Sequence, residues 1–241
     1  MHSLGISRGA FLNGKAPHTY MESFNASLFL SGNAVNVREA IAAGHPAGLV
    51  LGSPFADDLN DKELRIAFDF DSVLTDDTAE AVFHTTKDIS AFHAAEVAQA
   101  NIPHKPGPMH RLFEGLAALQ SKAALPPDKA GSAPSVRIAV ITARNAPSHE
   151  RLVTTFREWN IQPDETFFLG GIDKTRILKA FKPHMFFDDQ LLHLEGGVTF
   201  GAMVHVPFGV KNQDVAVVEG GGAPTSKNGR LPLPVSLHCF C

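Results

Sequence analysis

Five short apolar runs constrain the fold of this chain more than any other feature of its sequence. Each run is rich in Val, Ile or Phe, and most of its apolar residues follow one another rather than alternate with polar ones, which indicates a strand that is buried on both faces. Stretches of helical composition at residues 108–122, 147–160 and 174–182 separate most of them. This alternation predicts an α/β fold with a parallel, Rossmann-type sheet covered by helices. The runs occupy residues 64–70, 136–142, 165–170, 184–189 and 203–208.

Composition excludes several classes of function. The 241 residues carry 21 basic and 25 acidic side chains, for a net charge of −4. This balance argues against a nucleic-acid partner and against a basic membrane-binding face. No apolar run reaches the roughly 20 residues of a membrane helix, and the first residues lack the apolar core of a secretory signal. The two cysteines, Cys239 and Cys241, are too close in sequence to staple the chain, so we expect a cytoplasmic protein.

The segment between the first two strands is too long for a simple connection. The residue after the first strand, Asp71, and the last residue of the second, Thr142, are 71 positions apart (142 − 71), whereas loops usually contain about 2–6 residues. Helical composition predicts a cap at about residues 75–107, inserted into a catalytic core that spans residues 61–210. Residues 123–135 are expected to form a surface loop, and residues 211–241, which are rich in Gly and Pro, a disordered tail.

Acidic side chains follow two of the predicted strands. Asp69 and Asp71 end the first strand, and Asp188 and Asp189 end the fourth. The carboxyl ends of parallel strands meet at one edge of a sheet, so we expect these carboxylates to converge. Two like charges at ~4 Å repel by about 4 kcal/mol at an effective dielectric near 20. The cluster therefore requires a cation or a proton, and oxygen ligands favour Mg²⁺ as the cation.

Further residues with phosphate-binding chemistry lie near the predicted strand ends. Thr142 and the amide of Ala143 come directly after the second strand, and Lys174 opens a helix. A metal ion with a nearby ammonium, hydroxyl and backbone amides is the equipment of phosphoryl transfer. Each motif alone has a simpler explanation, such as a helix cap, a solvated turn or a surface lysine. Their joint order along the chain favours the catalytic interpretation.

These motifs resemble those of the haloacid dehalogenase-like phosphatases. That superfamily has an Asp-x-Asp pair, a Ser or Thr, a Lys and an acidic pair in the same order. The match is closer to the cytosolic 5′-nucleotidase type I family over roughly residues 5–210. It rests on "RIAFDFDSVL", "ITARNAPSHER", "FFLGGIDK", "KPHMFFDDQLLHLEG" and "HVPFGV".

The resemblance implies magnesium-dependent hydrolysis of nucleoside 5′-monophosphates through an aspartyl-phosphate. It implies that Asp69 is the nucleophile and Asp71 the general acid and base. It also implies that Thr142, Ala143 and Lys174 bind phosphate. The resulting ligand set for Mg²⁺ is Asp69, Asp71, Asp188 and Asp189.

Two alternatives to the nucleotidase hypothesis remain open at this point. The first is a phosphatase for another small phosphomonoester, such as a sugar phosphate, because the sequence does not say which cap residues contact a base. The second is a non-catalytic nucleotide-binding remnant. Three histidines, His184, His193 and His205, are expected to be packed or exposed rather than to bind metal.

Residues 1–60 are expected to contain a remnant of a second, degenerate copy of part of the core. Residues 11–33 align without a gap on residues 168–190. Catalytic positions are lost: Pro17 aligns with Lys174, Ser31 with Asp188 and Gly32 with Asp189. This similarity predicts a remnant of a half-fold that binds no metal. An unpaired strand edge in such a remnant would favour self-association into a homo-oligomer. The apolar and glycine matches are Phe11, Leu12, Gly14, Phe24 and Phe29 with Phe168, Leu169, Gly171, Phe181 and Phe186.

Overall fold

The computed structural model describes residues 9–10, 12–55, 58, 60–123 and 135–213. In this part of the chain, seven strands form one sheet with the order β1-β2-β7-β6-β3-β4-β5. All neighbouring strands are parallel except β2 and β7, which are antiparallel. The strands are β1 (Phe29–Ser31), β2 (Ala47–Val50), β3 (Glu63–Phe68), β4 (Ser135–Thr142), β5 (Glu165–Phe168), β6 (Met185–Asp188) and β7 (Ala202–His205).

The predicted α/β class and parallel sheet are confirmed. The five apolar runs form β3 to β7, and the three predicted helical stretches form α4, α5 and α6. Two short 3₁₀ helices, Pro17–Tyr20 and Val210–Asn212, complete the regular structure of the described residues. The α-helices are α1 (Ala34–Ala42), α2 (Thr78–Thr86), α3 (Ile89–Ala98), α4 (His110–Ala123), α5 (His149–Trp159), α6 (Thr175–Phe181) and α7 (Leu191–Glu195).

Successive residues of the central strands fill two separate apolar layers. Phe68 and Phe187 stack with their ring centroids 5.0 Å apart in one layer, which also contains Phe113 of α4. The preceding residues on the same strands, Ala67 and Phe186, belong to the other layer. Side chains of a strand alternate between its faces, so strands with apolar residues at every position become buried on both sides. Each fully buried phenylalanine contributes about 1.5–3 kcal/mol to folding.

Helices α2 and α3 lie between β3 and α4, in the segment predicted to form the cap. The chain segments that enter and leave them are paired. The Asp76 amide donates to the Lys105 carbonyl at 2.9 Å, and the Gly107 amide donates to the Leu74 carbonyl at 2.8 Å. A Cβ atom on Gly107 would lie 2.1 Å from the Thr75 carbonyl oxygen. The close approach of the two segments therefore requires glycine.

The first sixty residues contribute a βαβ unit, β1-α1-β2, to the far side of the sheet. Its element order matches that of β6-α7-β7. The alignment of residues 11–33 on residues 168–190 corresponds to an offset of 157 positions (168 − 11). At this offset, α1 and α7 begin at equivalent positions, and β1 matches the last three residues of β6. Asn33 caps α1 by accepting hydrogen bonds from the amides of Val35 and Asn36. Ser31, aligned with Asp188, accepts a hydrogen bond from the Asn33 amide at 3.0 Å. The interpretation of this unit as a degenerate copy stays a prediction.

Some expectations fall on other parts of the chain. Most of the predicted surface loop, both cysteines and nearly all of the predicted tail lie outside the described residues. Among the described helices, none combines the length and the apolar character that a membrane crossing requires.

Candidate active site

The carboxyl ends of β3, β4 and β6 bring the predicted site residues together. Asp69 follows β3, and its amide donates to the Phe187 carbonyl at 2.8 Å, which extends the pairing with β6. Asp188 is the last residue of β6, and Thr142 is the last residue of β4. Asp69, Thr142, Asp188 and Asp189 are all buried. The sheet alone thus concentrates acidic groups at one edge, as parallel topology requires.

Lys174 supplies the positive charge among these carboxylates. It lies at the N-terminal end of α6, and its Nζ is 2.9 Å from Asp69 Oδ1 and 2.7 Å from Asp188 Oδ2. The side chain is buried, and its ammonium lies 5.7 Å from the centroid of the Phe186 ring. Burial acts to lower the pKa of Lys174, but the charges of Asp188 and Asp69 raise it above its usual value. The ammonium is therefore a permanent cation in this site.

One ammonium does not neutralise the three buried carboxylates. Burial, together with the charges of Asp188 and Asp71, raises the pKa of Asp69 to about 7 despite the opposing effect of Lys174. Burial and the charges of Asp69 and Asp188 raise the pKa of Asp189 to about 9. Although burial also opposes ionisation of Asp188, the Lys174 ammonium and a hydrogen bond with His193 lower its pKa. Without a metal, the cluster therefore takes up protons rather than keeping all three negative charges.

The donor set suits a divalent cation. One ligand atom each from Asp69, Asp188 and His193 lie within 4.8 Å of one another. His193 Nδ1 is 3.2 Å from both carboxylate oxygens of Asp188. Carboxylate oxygens are the preferred ligands of Mg²⁺, and a bound cation would take the place of the protons that the raised pKa values of Asp69 and Asp189 favour. His193 was expected from the sequence to be packed or exposed, yet it lies at this cluster.

Asp189 and Asp71 lie differently from those three residues. The backbone carbonyl of Asp189 accepts a hydrogen bond from Asn212 Nδ2 at 3.0 Å, which fixes the chain beside Asp188. The carboxylate of Asp71 is paired with Arg144, with Nη2 to Oδ1 at 2.6 Å and Nε to Oδ2 at 2.8 Å. Although burial acts to raise it, Arg144 lowers the pKa of Asp71, an effect that Glu96 partly opposes. Metal binding by the Asp71 and Asp189 carboxylates stays a prediction.

The predicted phosphate-binding residues lie at the same edge. Thr142 Oγ1 accepts a hydrogen bond from the Arg144 amide at 3.2 Å, so the chain curls around the threonine after β4. Ala143, between them, is exposed. Lys174 contacts the carboxylates as described. The structure brings these residues to one place, and their contact with phosphate stays a prediction.

Arg144, Glu96, His104 and His193 were not identified from the sequence as site residues. Arg144 stands inside the quoted segment "ITARNAPSHER", directly after Thr142 and Ala143. Its position beside Thr142 could have marked Arg144 as a site residue. The sequence could not show which acidic residues it contacts, because Asp71 and Glu96 are far away along the chain. Glu96 belongs to α3 and is almost completely buried. Carboxylates are rarely buried to this extent unless they are paired, so its burial indicates charged partners.

Two sequence comparisons relate this chain to known proteins. A model of the 5′-nucleotidase family matches residues 1–213. Cytosolic 5′-nucleotidase 1B of Homo sapiens is 31% identical over 213 residues, which are 87% of this chain and 34% of that protein. The chain thus spans about a third of the length of that relative.

A structural resemblance was also found. The HAD domain of effector protein Lem4 from Legionella pneumophila aligns with a TM-score of 0.32 and 15% identity. The alignment covers 56% of this chain and 77% of that domain. This likeness is too low to bear on fold or function.

Proposed function

This chain belongs to the 5′-nucleotidase family, and we propose that it hydrolyses nucleoside 5′-monophosphates to nucleoside and phosphate with Mg²⁺ in the cytoplasm. The observation that supports this proposal most is the position of Lys174, whose ammonium bridges Asp69 and Asp188 at the ends of two neighbouring strands. A carboxylate, a permanent cation and a metal-binding acid in contact are the groups that phosphoryl transfer needs.

In the proposed first step, the carboxylate of Asp69 attacks phosphorus. A bond forms between the Asp69 oxygen and phosphorus, and the bond between phosphorus and the 5′ oxygen breaks with its electron pair leaving on that oxygen. Asp71, which must carry a proton in the reacting complex although Arg144 lowers its pKa in this structure, gives that proton to the leaving oxygen. This yields the nucleoside and an aspartyl-phosphate on Asp69.

In the second step, Asp71 takes a proton from water, and the water oxygen attacks phosphorus. The bond to Asp69 breaks, free phosphate leaves, and Asp71 is protonated again for the next cycle. Lys174, the Thr142 hydroxyl and the Ala143 amide would bind the phosphate oxygens throughout. Asp69 and Asp188 with His193 close by, and also Asp71 and Asp189, would hold Mg²⁺. When bound, the metal neutralises the carboxylates and the phosphate charge.

Phosphate release from a panel of substrates tests this proposal. The panel contains purine and pyrimidine nucleoside 5′-monophosphates and sugar phosphates, each with Mg²⁺ and with excess chelator. We expect magnesium-dependent release from the nucleotides, and none from any substrate with Asp69→Asn. Glu158→Gln, which removes an exposed carboxylate on α5, is the matched control and should retain full activity.

The outcomes separate the alternatives. Release from sugar phosphates alone would point to the other phosphatase class. Nucleotide binding without release would indicate a non-catalytic protein. Activity above a few per cent in Asp69→Asn would show that Asp69 is not the nucleophile.

A further inference from the structure

A buried group of charged side chains joins the candidate active site to α3. Its centre is Arg144, which emerges just after β4 and is almost fully buried. Its guanidinium holds both carboxylate oxygens of Asp71, at 2.6 and 2.8 Å. Two parallel hydrogen bonds of this kind fix the plane of a carboxylate as well as its position. The Asp71 carboxylate is therefore oriented by Arg144.

The opposite side of the same guanidinium contacts α3. Arg144 Nη1 donates to Glu96 Oε2 and, at 2.9 Å, to the Ser148 carbonyl. The other oxygen of Glu96 accepts from Arg151 Nη1 at 2.8 Å. Burial opposes ionisation of Glu96, but a hydrogen bond from His104 and the charge of Arg144 lower its pKa to about 2. The carboxylate of Glu96 thus stays charged and anchors two arginines.

Aromatic rings further restrict Arg144. Its guanidinium carbon lies 5.2 Å from the centroid of Phe70 and 5.4 Å from that of Phe92. Phe70 separates Asp69 from Asp71 in the sequence, and Phe92 belongs to α3. Arg144 is therefore held by one ring from the strand end and one from the helix that carries Glu96.

The group is better suited to positioning than to stability. Two carboxylates, Asp71 and Glu96, face two guanidiniums, Arg144 and Arg151. Replacing buried ion pairs with packed apolar residues is often neutral or stabilising, so such a group is a weak means of holding a fold together. It does define where each member lies, because any displaced member leaves a buried charge unpaired.

We propose that Arg144 is a positioning residue for Asp71, and that Glu96 makes this position depend on the docking of α3 against the core. This inference rests on the proposed function, in which Asp71 protonates the leaving 5′ oxygen. When α3 moves, Glu96 moves with it, and Arg144 loses one of the two carboxylates that hold it. The orientation of the acid is then lost together with the docked helix.

The test compares two leaving groups in single-turnover reactions of the full chain. The 5′ oxygen of a nucleotide needs a proton to leave, whereas 4-nitrophenolate from 4-nitrophenyl phosphate does not. General acid catalysis contributes about 10²–10⁴-fold. We expect Arg144→Lys, which cannot form the paired hydrogen bonds, to slow nucleoside release at least about 30-fold and 4-nitrophenolate release less than about threefold. Equal losses on both substrates would overturn the proposal.

Two comparison variants separate positioning from general damage. Arg151→Lys disturbs Glu96 without contacting Asp71, so it should show a smaller preference for the good leaving group than Arg144→Lys. Arg111→Lys alters an exposed arginine on α4 and should match the unmodified chain. The same leaving-group pattern in Arg151→Lys and Arg144→Lys would show that Arg144 acts only by docking α3.

A thermal double-mutant cycle tests the pair without any activity. If Arg144 holds Asp71, the loss of melting temperature in the Arg144→Lys, Asp71→Asn double variant should be clearly smaller than the sum of the single losses. Additive losses would overturn the positioning proposal even in an active enzyme. An unmodified chain that releases no phosphate would instead refute the proposed function, and the cycle would still decide whether the pair exists.

Discussion

Replacing the proposed nucleophile should make the metal-free protein inactive but more stable. In Asp69→Asn, an amide takes the place of a carboxyl group whose pKa is raised from 3.8 to about 7 by burial and by neighbouring acids. Each pKa unit corresponds to about 1.4 kcal/mol, so ionised Asp69 costs the folded state on the order of 4 kcal/mol. The amide removes that cost and keeps the volume of the side chain.

The pH dependence of this gain has a definite sign. A carboxyl group whose pKa is higher in the folded protein binds more protons when folded. The unmodified chain therefore loses stability relative to Asp69→Asn as the pH rises from about 4 to about 7. Below that window the two proteins should be equally stable, and above it the difference should be constant.

Thermal unfolding with excess chelator measures the effect. For a chain of this size, 1 kcal/mol shifts the melting temperature by about 2–4 °C, so we expect Asp69→Asn to melt roughly 8–16 °C higher at pH 8. Glu158→Gln also removes one negative charge, but from an exposed position, and should shift the melting temperature little. A melting temperature of Asp69→Asn at or below that of the unmodified chain at pH 8 would refute the charge crowding inferred for this cluster.

Three further predictions concern the metal and two backbone positions. Mg²⁺ should raise the melting temperature and restore activity after chelation, and Asp188→Ala should weaken both responses. Full activity in excess chelator would refute the proposed requirement for Mg²⁺. Ser72 has a φ of +59° and a buried hydroxyl without a partner among the described residues, so Ser72→Gly should stabilise the protein by about 1 kcal/mol in denaturant unfolding. Gly107→Ala would force a Cβ against the Thr75 carbonyl and should cost more than about 2 kcal/mol in the same assay; an unchanged midpoint would contradict the close approach.

The sequence was sufficient to predict the central sheet and the residues at its edge. Continuous apolar runs predicted β3 to β7 because a strand that is buried on both faces carries apolar residues at successive positions. Asp69, Thr142 and Asp188 could be placed together because parallel strands end at one edge. These predictions depended on local patterns and one topological rule.

Contacts between distant segments could not be predicted in the same way. Arg144 is separated by 73 residues from Asp71 and by 48 from Glu96, and no local pattern states which acids an arginine will meet. The approach of His193 to Asp188 depends on how α7 turns after β6, and the motif alone did not reveal it. The antiparallel pairing of β2 with β7 depends on the packing of the whole first unit.

Because β2 and β7 are antiparallel, β1 and β2 run in the opposite direction to the other five strands of the sheet. This direction determines how the first unit meets the active site. The carboxyl ends of β1 and β2 therefore lie at the rim opposite the one that carries the acidic cluster. The first unit reaches the cluster through a side chain of its helix instead. Arg38 of α1 donates to the Asn212 carbonyl at 3.1 Å, and Asn212 holds the Asp189 carbonyl. Through these contacts, α1 supports the loop that carries Asp189.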